Sequence, residues 1–274
     1  MNILMTNYME TTAPGGINKV VSEIGERLVM QGHVVSILQP NVLKRQSQET
    51  YRGCHIIRVT STLGPIFHEL TPRLFFSLER ILAQLSPDVI HAHGYATLFS
   101  VQVLTQLKRK GYPIVYSPHF DVESHNSFAG RHLWNVFNNY VGNQNFETAD
   151  ELICASKFES ENVQRLFGVS EKRIDVIPHG VTGIRTEPRE KKDHINLIYF
   201  GYLFELKGVQ FLLEALHKLK YDLGEQVALT IIGEGGYKPH LIALAKKMKI
   251  DDSIAWYPFL PADQLQERLD HSDI

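Results

Sequence analysis

Lys207 is the cation around which the candidate chemistry of this sequence gathers. It lies in Gly201-Tyr202-Leu203-Phe204-Glu205-Leu206-Lys207-Gly208. Before it runs the apolar stretch Ile195-Asn196-Leu197-Ile198-Tyr199-Phe200; after it Val209, Leu212, Leu213, Leu216 and Leu219 recur at helical spacing. An almost continuously apolar strand is one buried on both faces of a parallel sheet. Strand, glycine turn and helix start put Lys207 at the carboxyl edge of such a sheet, where helix N-terminal N–H groups favour anions. Phosphate binding is the chemistry this stretch could do. The plain alternative is a solvated loop lysine with Gly208 as a cap.

Gly15-Gly16 forms a second junction of this kind, between the short strand Ile3-Leu4-Met5 and a helix striped by Ile17, Val20, Val21, Ile24 and Leu28. Missing side chains there let backbone N–H groups approach a ligand. A dinucleotide site is disfavoured, because the third glycine of that fingerprint is absent and Gln39-Pro40 stands where an acidic residue would end the second strand. Asp88-Val89-Ile90-His91-Ala92-His93 and Ile114-Val115-Tyr116-Ser117-Pro118-His119 are strands that each end in histidine, so His93 and His119 could look into one crevice. Structural hydrogen bonding is the alternative role. Asp121, Glu123 and His125 would share one face of an extended segment. They could ligate a metal, but a polar loop suits hydrogen bonds to a polyhydroxyl substrate, and no metal is expected.

These residues need elements to position them, and the composition can supply them. The chain has 274 residues, 43% apolar and 21% charged, which is ordinary globular composition and suggests about two domains. A formal net charge of -2 without a basic run gives no field for nucleic acid. Cys54 and Cys154 stand alone, so neither a zinc cluster nor a disulfide framework is indicated, and a reducing cytoplasm fits. No stretch reads as a signal peptide or a membrane span.

Strand and helix signals alternate as in a doubly wound α/β sheet. Strands are expected at Val34–Leu38, Ile56–Val59 and Asp150–Ala155, with a helix at Pro72–Leu85, another at Leu98–Leu107 and a long helical stretch from Phe128 to Thr148. Ser156 is the expected cap of a helix carrying Phe158, Val163 and Leu166. The Pro72–Leu85 helix, flanked by Arg73 and Arg80, could lie on a membrane surface, though core packing is the commoner use of such a stripe. Thr186 to Asp193 is charged, proline-bearing and apolar-free, as a connection between domains should be. Beyond it come the Ile195 strand, Val227-Ala228-Leu229-Thr230-Ile231-Ile232 leading into Gly233-Glu234-Gly235, a helix from Tyr237 to Met248, the strand Ile254–Tyr257 and a helix from Pro261 to Leu269.

The ordered set of Gly15-Gly16, Asp88–His93, Ser117-Pro118-His119, Ala149-Asp150 to Ala155-Ser156, Ile177-Pro178-His179-Gly180-Val181, Gly201–Gly208 and Ile232-Gly233-Glu234-Gly235 resembles a family 4 retaining glycosyltransferase of the GT-B fold. The resemblance spans the whole chain. It implies two Rossmann-like doubly wound domains facing a cleft. Residues 1–185 would bind the acceptor, and residues 193–274 would be the first part of a truncated domain for the nucleotide-sugar. It also implies hexosyl transfer with retention from a UDP- or GDP-sugar to a glycan or glycolipid, in polysaccharide or cell-envelope synthesis. By the same resemblance His119 and Lys207 are catalytic, and Gly15, Gly16, Gly201, Lys207, Gly233, Glu234 and Gly235 bind the donor. His93, Asp121 and Glu123 are acceptor-side candidates. No cofactor is implied, and the expected location is the cytoplasm or the inner membrane face, with peripheral membrane contact open.

Tyr202 stands where that family usually places arginine, which removes one cation from the diphosphate site. The family's paired-glutamate motif would follow a strand starting near Ile274, so these residues alone are expected to transfer sugar weakly or not at all. A noncatalytic glycan- or partner-binding homologue and a GT-B nucleotide-sugar epimerase remain the alternatives.

Overall fold

The computed structural model describes residues 1–13, 15–60, 72–95, 97–107, 110–120, 128–180 and 194–274. It divides into two compact units, Met1–Gly180 and Val181–Ile274. The expected linker at 186–193 lies outside the described residues, as do Asp121 and Glu123.

The first unit is built on eight strands: β1 Asn2–Thr6, β2 Val34–Pro40, β3 Gln48–Tyr51, β4 Cys54–Val59, β5 Val89–His93, β6 Ile114–Ser117, β7 Glu151–Cys154 and β8 Ile174–Val176. Their order is β3-β4-β2-β1-β5-β6-β7-β8. All neighbours run parallel except the β3–β4 hairpin. The strand order reverses beside β1, which pairs with β2 on one side and β5 on the other. Such a switch point opens a crevice at the carboxyl ends of the strands, here beyond Thr6 and His93.

Side chains alternating along each strand feed cores on both faces of this sheet. Ile3 and Met5 join Val21, Val35, Ile37, Cys54 and Ile56 under helix α1, Gly16–Met30. Leu4 points the other way, into a larger cluster with α2, Pro72–Leu85, and α3, Leu98–Leu107. Leu74, Leu78, Ile81 and Leu82 of α2 are buried in that cluster, so its apolar stripe is spent on packing. Among the described residues no helix is long and apolar enough to cross a membrane.

The stretch from Phe128 to Thr148 is not one uniform helix. It runs as α4, Phe128–Phe137, a π-helical turn at Asn138–Gly142, and α5, Asn143–Thr148. The cause is Tyr95, whose hydroxyl donates to Asn138 Oδ1 at 2.6 Å and whose ring lies against Phe146 and Phe167. A Cβ on Gly142 would collide with the Tyr95 hydroxyl and stand 2.9 Å from Phe167 Cε1, so the helix widens around the tyrosine. Helix α6, Lys157–Phe167, begins as expected, with Ser156 accepting from the Glu159 N–H at 3.1 Å.

The second unit carries a parallel sheet of order β11-β10-β9, from β9 Ile195–Phe200, β10 Val227–Ile232 and β11 Ile254–Tyr257. Helices α7, Val209–Tyr221, and α8, Lys238–Lys247, supply Val209, Leu213, Leu216, Leu241 and Ala245 to its core; α9 spans Ala262–Asp270. On the free side of β9, Asp273 N–H donates to the Asn196 carbonyl at 2.7 Å and Ile198 N–H to that of Ile274 at 2.8 Å.

The close fit at the π-helical turn predicts that Gly142→Ala overpacks the Tyr95 pocket. The expected loss is about 1–3 kcal/mol of stability in the first unit, read from a lowered urea midpoint. An unchanged midpoint would mean that the turn does not depend on this contact.

Candidate functional site

The loop that leaves β1 is held from beneath by a buried network of charged and polar groups. Glu10 and Arg58 are 1% and 4% exposed. Arg58 donates from Nε to Glu10 Oε2 at 2.9 Å and from Nη2 to Oε1 at 2.7 Å, a bidentate pair reaching from β4 to the loop. It also pairs with Glu49 of β3 and donates to the Gln46 carbonyl at 3.0 Å. Gln39, at the end of β2, donates to Glu10 Oε1 at 2.5 Å and accepts from both Thr11 N–H and Thr11 Oγ1. Burial alone would raise the Glu10 carboxyl, but the hydrogen bonds and charge of Arg58, helped by Gln39 and Thr12, hold it below its ordinary value. It therefore stays ionised.

Asn18 of α1 closes the other side, donating to the Ala13 carbonyl at 3.1 Å and accepting from Asn7 Nδ2 at 3.0 Å. The loop ends at Gly15, and α1 begins at Gly16 with no side-chain cap and no acidic residue in its first turn. Its leading N–H groups are thus left without a side-chain acceptor from the capping position, the arrangement that suits an anion.

Beside this loop, β5 and β6 bring histidines together. His91 and His93 are two apart on β5 and share a face, with ring centroids 4.0 Å apart. His91 Nε2 meets Ser117 Oγ at 2.9 Å, and His93 Nδ1 meets His119 Nε2 at 3.1 Å. The ring of His179, which follows β8, lies tilted by 39° against that of His119, with centroids 5.5 Å apart. His119 is a non-glycine residue at φ 51°, a backbone state that persists only where its surroundings fix it. One such fixture is Glu159 of α6: its carboxylate accepts from the Phe120 N–H and the Ala155 N–H, both at 2.6 Å.

Burial lowers His91 to about 4 with His119 adding to the effect, and lowers His119 to about 4 with His179 adding to it. His93, wholly buried among His91, His119 and His179, is held well below the ordinary imidazole value. His91, His93 and His119 are therefore neutral at pH 7. His119 is half-buried, whereas His93 is 0% exposed.

In the second unit the glycine turns at the ends of β9 and β10 pack backbone on backbone. Gly201 N–H donates to the Ile232 carbonyl and Leu203 N–H to that of Glu234, both at 3.0 Å. A Cβ on Gly233 would collide with the Gly201 carbonyl oxygen, and one on Gly235 with that of Leu203. These turns hold the single helical turn Glu205–Lys207, whose Lys207 is exposed and has no ion-pair partner among the described residues. Glu234, by contrast, accepts from Lys238 Nζ at 2.7 Å. Tyr202 is 39% exposed, stacked on Phe204 at 5.7 Å and edge-on to Phe259 at 5.1 Å. Among the described residues, no His, Cys, Asp or Glu cluster is grouped to hold a metal ion.

A family profile described as Glycosyltransferase Family 4 matches residues 14–182, and one described as Glycosyl transferases group 1 matches residues 181–274. The gpi3 subunit of phosphatidylinositol N-acetylglucosaminyltransferase from Schizosaccharomyces pombe is 20% identical over 261 residues, 93% of this chain and 56% of that protein. The chain thus spans little more than half the length of that relative. Sucrose-phosphate synthase from Thermosynechococcus elongatus superposes with a TM-score of 0.77 at 18% identity, covering 98% of this chain and 73% of that one. The catalytic domain of starch synthase IV from Arabidopsis thaliana, bound to ADP and acarbose, does so at 0.63 and 13%, covering 99% and 76%. At these identities the likeness speaks to the fold, which is that of the GT-B glycosyltransferases.

Two outcomes follow from the buried groups. Arg58→Leu leaves Glu10 uncompensated and should cost about 3–5 kcal/mol, whereas Arg52→Leu, which breaks the exposed pair with Glu26, should cost under ~1 kcal/mol. Equal shifts in urea unfolding would refute the difference. The depressed histidines take up protons in the unfolded chain first, so their contribution is complete above pH ~6.5 and is lost as pH falls toward ~4. Within that window His91 should account for about 1 kcal/mol per pH unit, and His93 should add to the loss in the same direction. A first-unit stability that stays flat between pH 7 and pH 5 would contradict this.

Proposed function

The chain belongs to glycosyltransferase family 4, and from that premise we propose that it moves a hexosyl group from a UDP- or GDP-sugar to a glycan or glycolipid acceptor with retention. The observation that carries this reading is Lys207, an exposed cation without an ion-pair partner among the described residues, on a turn fixed by interlocked glycine backbones. A nucleotide diphosphate is the leaving group that such a cation suits. As the glycosidic bond to the donor breaks, negative charge grows on the diphosphate oxygens. An ammonium carried on a fixed turn and unclaimed backbone N–H groups stabilise that charge more in the transition state than in the ground state. In this reading Gly201, Gly233, Glu234 and Gly235 bind the donor, as do the N–H groups at Gly15 and Gly16. No metal is required, because Lys207 and the N–H groups supply the positive charge.

His119 serves the transferring sugar, and Asp121 and Glu123 serve the acceptor. His93 works behind His119 and does not touch the acceptor. Retention is assigned to attack on the face from which the diphosphate leaves, with no carboxylate nucleophile needed. Tyr202 offers stacking surface and no charge, so Lys207 bears a larger share of the diphosphate than it would beside an arginine. A lipid-borne acceptor is favoured by the name of the fission-yeast relative, which acts on phosphatidylinositol, and it would put the protein at the inner face of a membrane.

Calorimetric titration with UDP, GDP and ADP and their hexose derivatives tests this. One nucleotide series should bind, equally well with and without EDTA. Lys207→Ala should weaken it by about 10–100-fold, the loss of a charge-assisted contact of ~1.5–3 kcal/mol. If no nucleotide binds, or if Lys207→Ala binds as tightly as the parent, the donor assignment fails.

A further inference from the structure

His93 is a buried imidazole with one nitrogen engaged and the other with none to engage. Its Nδ1 lies 3.1 Å from His119 Nε2, while its Nε2 is buried and has no hydrogen-bond partner among the described residues. The two rings are within 15° of parallel, and their centroids are 5.4 Å apart. That spacing is the N···N distance plus the two ring radii, so the imidazoles meet edge to edge with their nitrogens aligned for one shared proton.

Two neutral arrangements satisfy that hydrogen bond, and they differ in what they leave inside the protein. If His119 Nε2–H donates, His93 must carry its own proton on Nε2, and an N–H is buried with nothing to accept it. If His93 Nδ1–H donates, only a lone pair is buried without a partner. Orphaned buried N–H donors are the rarer of the two. We infer that His93 is a positioning residue that holds His119 in its Nδ1–H tautomer, so that the nitrogen His119 has free is a hydrogen-bond donor to a ligand oxygen and not a base.

Among the described residues, the surroundings of His93 supply no competing partner. Thr6 of β1 accepts from the His93 backbone N–H at 3.4 Å, and Ser100 of α3 donates to its carbonyl at 2.7 Å. Ser117 of β6 is bonded to His91, and Tyr116 donates its hydroxyl to the Gly94 carbonyl. The charges that could perturb the ring are those of His91, His119 and His179, all imidazoles, and burial keeps His93 from becoming a two-donor cation. His119 Nδ1 has no hydrogen-bond partner among the described residues.

The consequence for chemistry depends on the transferase reading only for the identity of the ligand. There, His119 grips a sugar hydroxyl or phosphate oxygen by donation, and the proton of the attacking acceptor hydroxyl must leave by another route, such as the departing phosphate oxygen.

Long-range proton–nitrogen correlation spectra of the 15N-labelled chain at pH 7.5, without ligand, test the tautomer directly, with His119→Gln used to assign the His119 signals. The expected result is a protonated, pyrrole-type Nδ1 and a bare, pyridine-type Nε2 at both His93 and His119. A protonated Nε2 on His119 overturns the inference. In His93→Leu the proton of His119 should shift to Nε2, its position in a free imidazole, and His93→Asn, which keeps an N–H donor near the old Nδ1, should return it to Nδ1. An unchanged His119 in His93→Leu also overturns it, and if that variant does not fold the parent spectrum alone decides. Because the spectrum needs no donor, a chain that binds no nucleotide-sugar would defeat the proposed function while leaving the tautomer standing.

Discussion

A carboxylate taken out of water must find its counter-charge and its hydrogen bonds inside the protein, and Glu10 meets both needs through Arg58 and Gln39. This requirement ties distant parts of the chain together. Arg58 comes from β4, Gln39 from β2, and Glu10 from the loop that follows β1, so satisfying one buried charge fixes the path of that loop relative to the sheet. The loop in turn delivers Gly15 to the start of α1. The glycine junction is therefore shaped by the polar floor beneath it, and Gln39, in the place where a dinucleotide binder would hold a ribose, instead reads the loop's own backbone at Thr11.

The second unit solves the same positioning problem by steric means. No buried ion pair among its described residues supports the Gly201 turn. The turn rests on carbonyl oxygens that occupy the space where side chains at Gly233 and Gly235 would be. Backbone contacts of this kind leave little play, because peptide planes have no rotamers to exchange. A lysine on a long flexible stem is an imprecise tool, and its value as a phosphate ligand depends on the fixity of the turn that carries it.

What the sequence made legible followed from burial pattern. Strands of a parallel sheet are apolar on both faces, so β1, β2, β5, β6, β9 and β10 stood out as apolar runs, and the glycines and histidines at their carboxyl ends could be placed at once. Ser156 was legible because a cap is a local device. The edge strand Gln48–Tyr51 was not, since a half-exposed polar strand carries no apolar signal. The π-helical turn was hidden because its cause, Tyr95, is 43 positions from Asn138. Glu10 and Arg58 lie 48 positions apart and look like two ordinary surface charges until the sheet brings them together. His93 looked like a group that faces a substrate; nothing in a strand-end histidine announces that a neighbouring strand will cover it. Glu159 was missed for a related reason, because an acidic residue in the first turn of a helix is usually read as a response to the helix dipole and here also anchors the backbone beyond His119.

The electrostatics of the two units are complementary in kind. In the first, burial removes charge from three imidazoles, and the side chains near the crevice act as dipoles and hydrogen-bond groups. In the second, Lys207 is exposed to water. On the proposed reading, neutral imidazoles avoid a cost that cations near a transferring sugar would impose. A positively charged transition state, in which the sugar carbon loses its bond to phosphate before it gains one to the acceptor, is disfavoured by adjacent cations and tolerated by dipoles. The leaving diphosphate has the opposite need. On the proposed reading, a transfer in which charge separates between sugar and phosphate asks for neutral donors at the sugar and a cation at the phosphate, roles that the buried histidines and the exposed lysine suit.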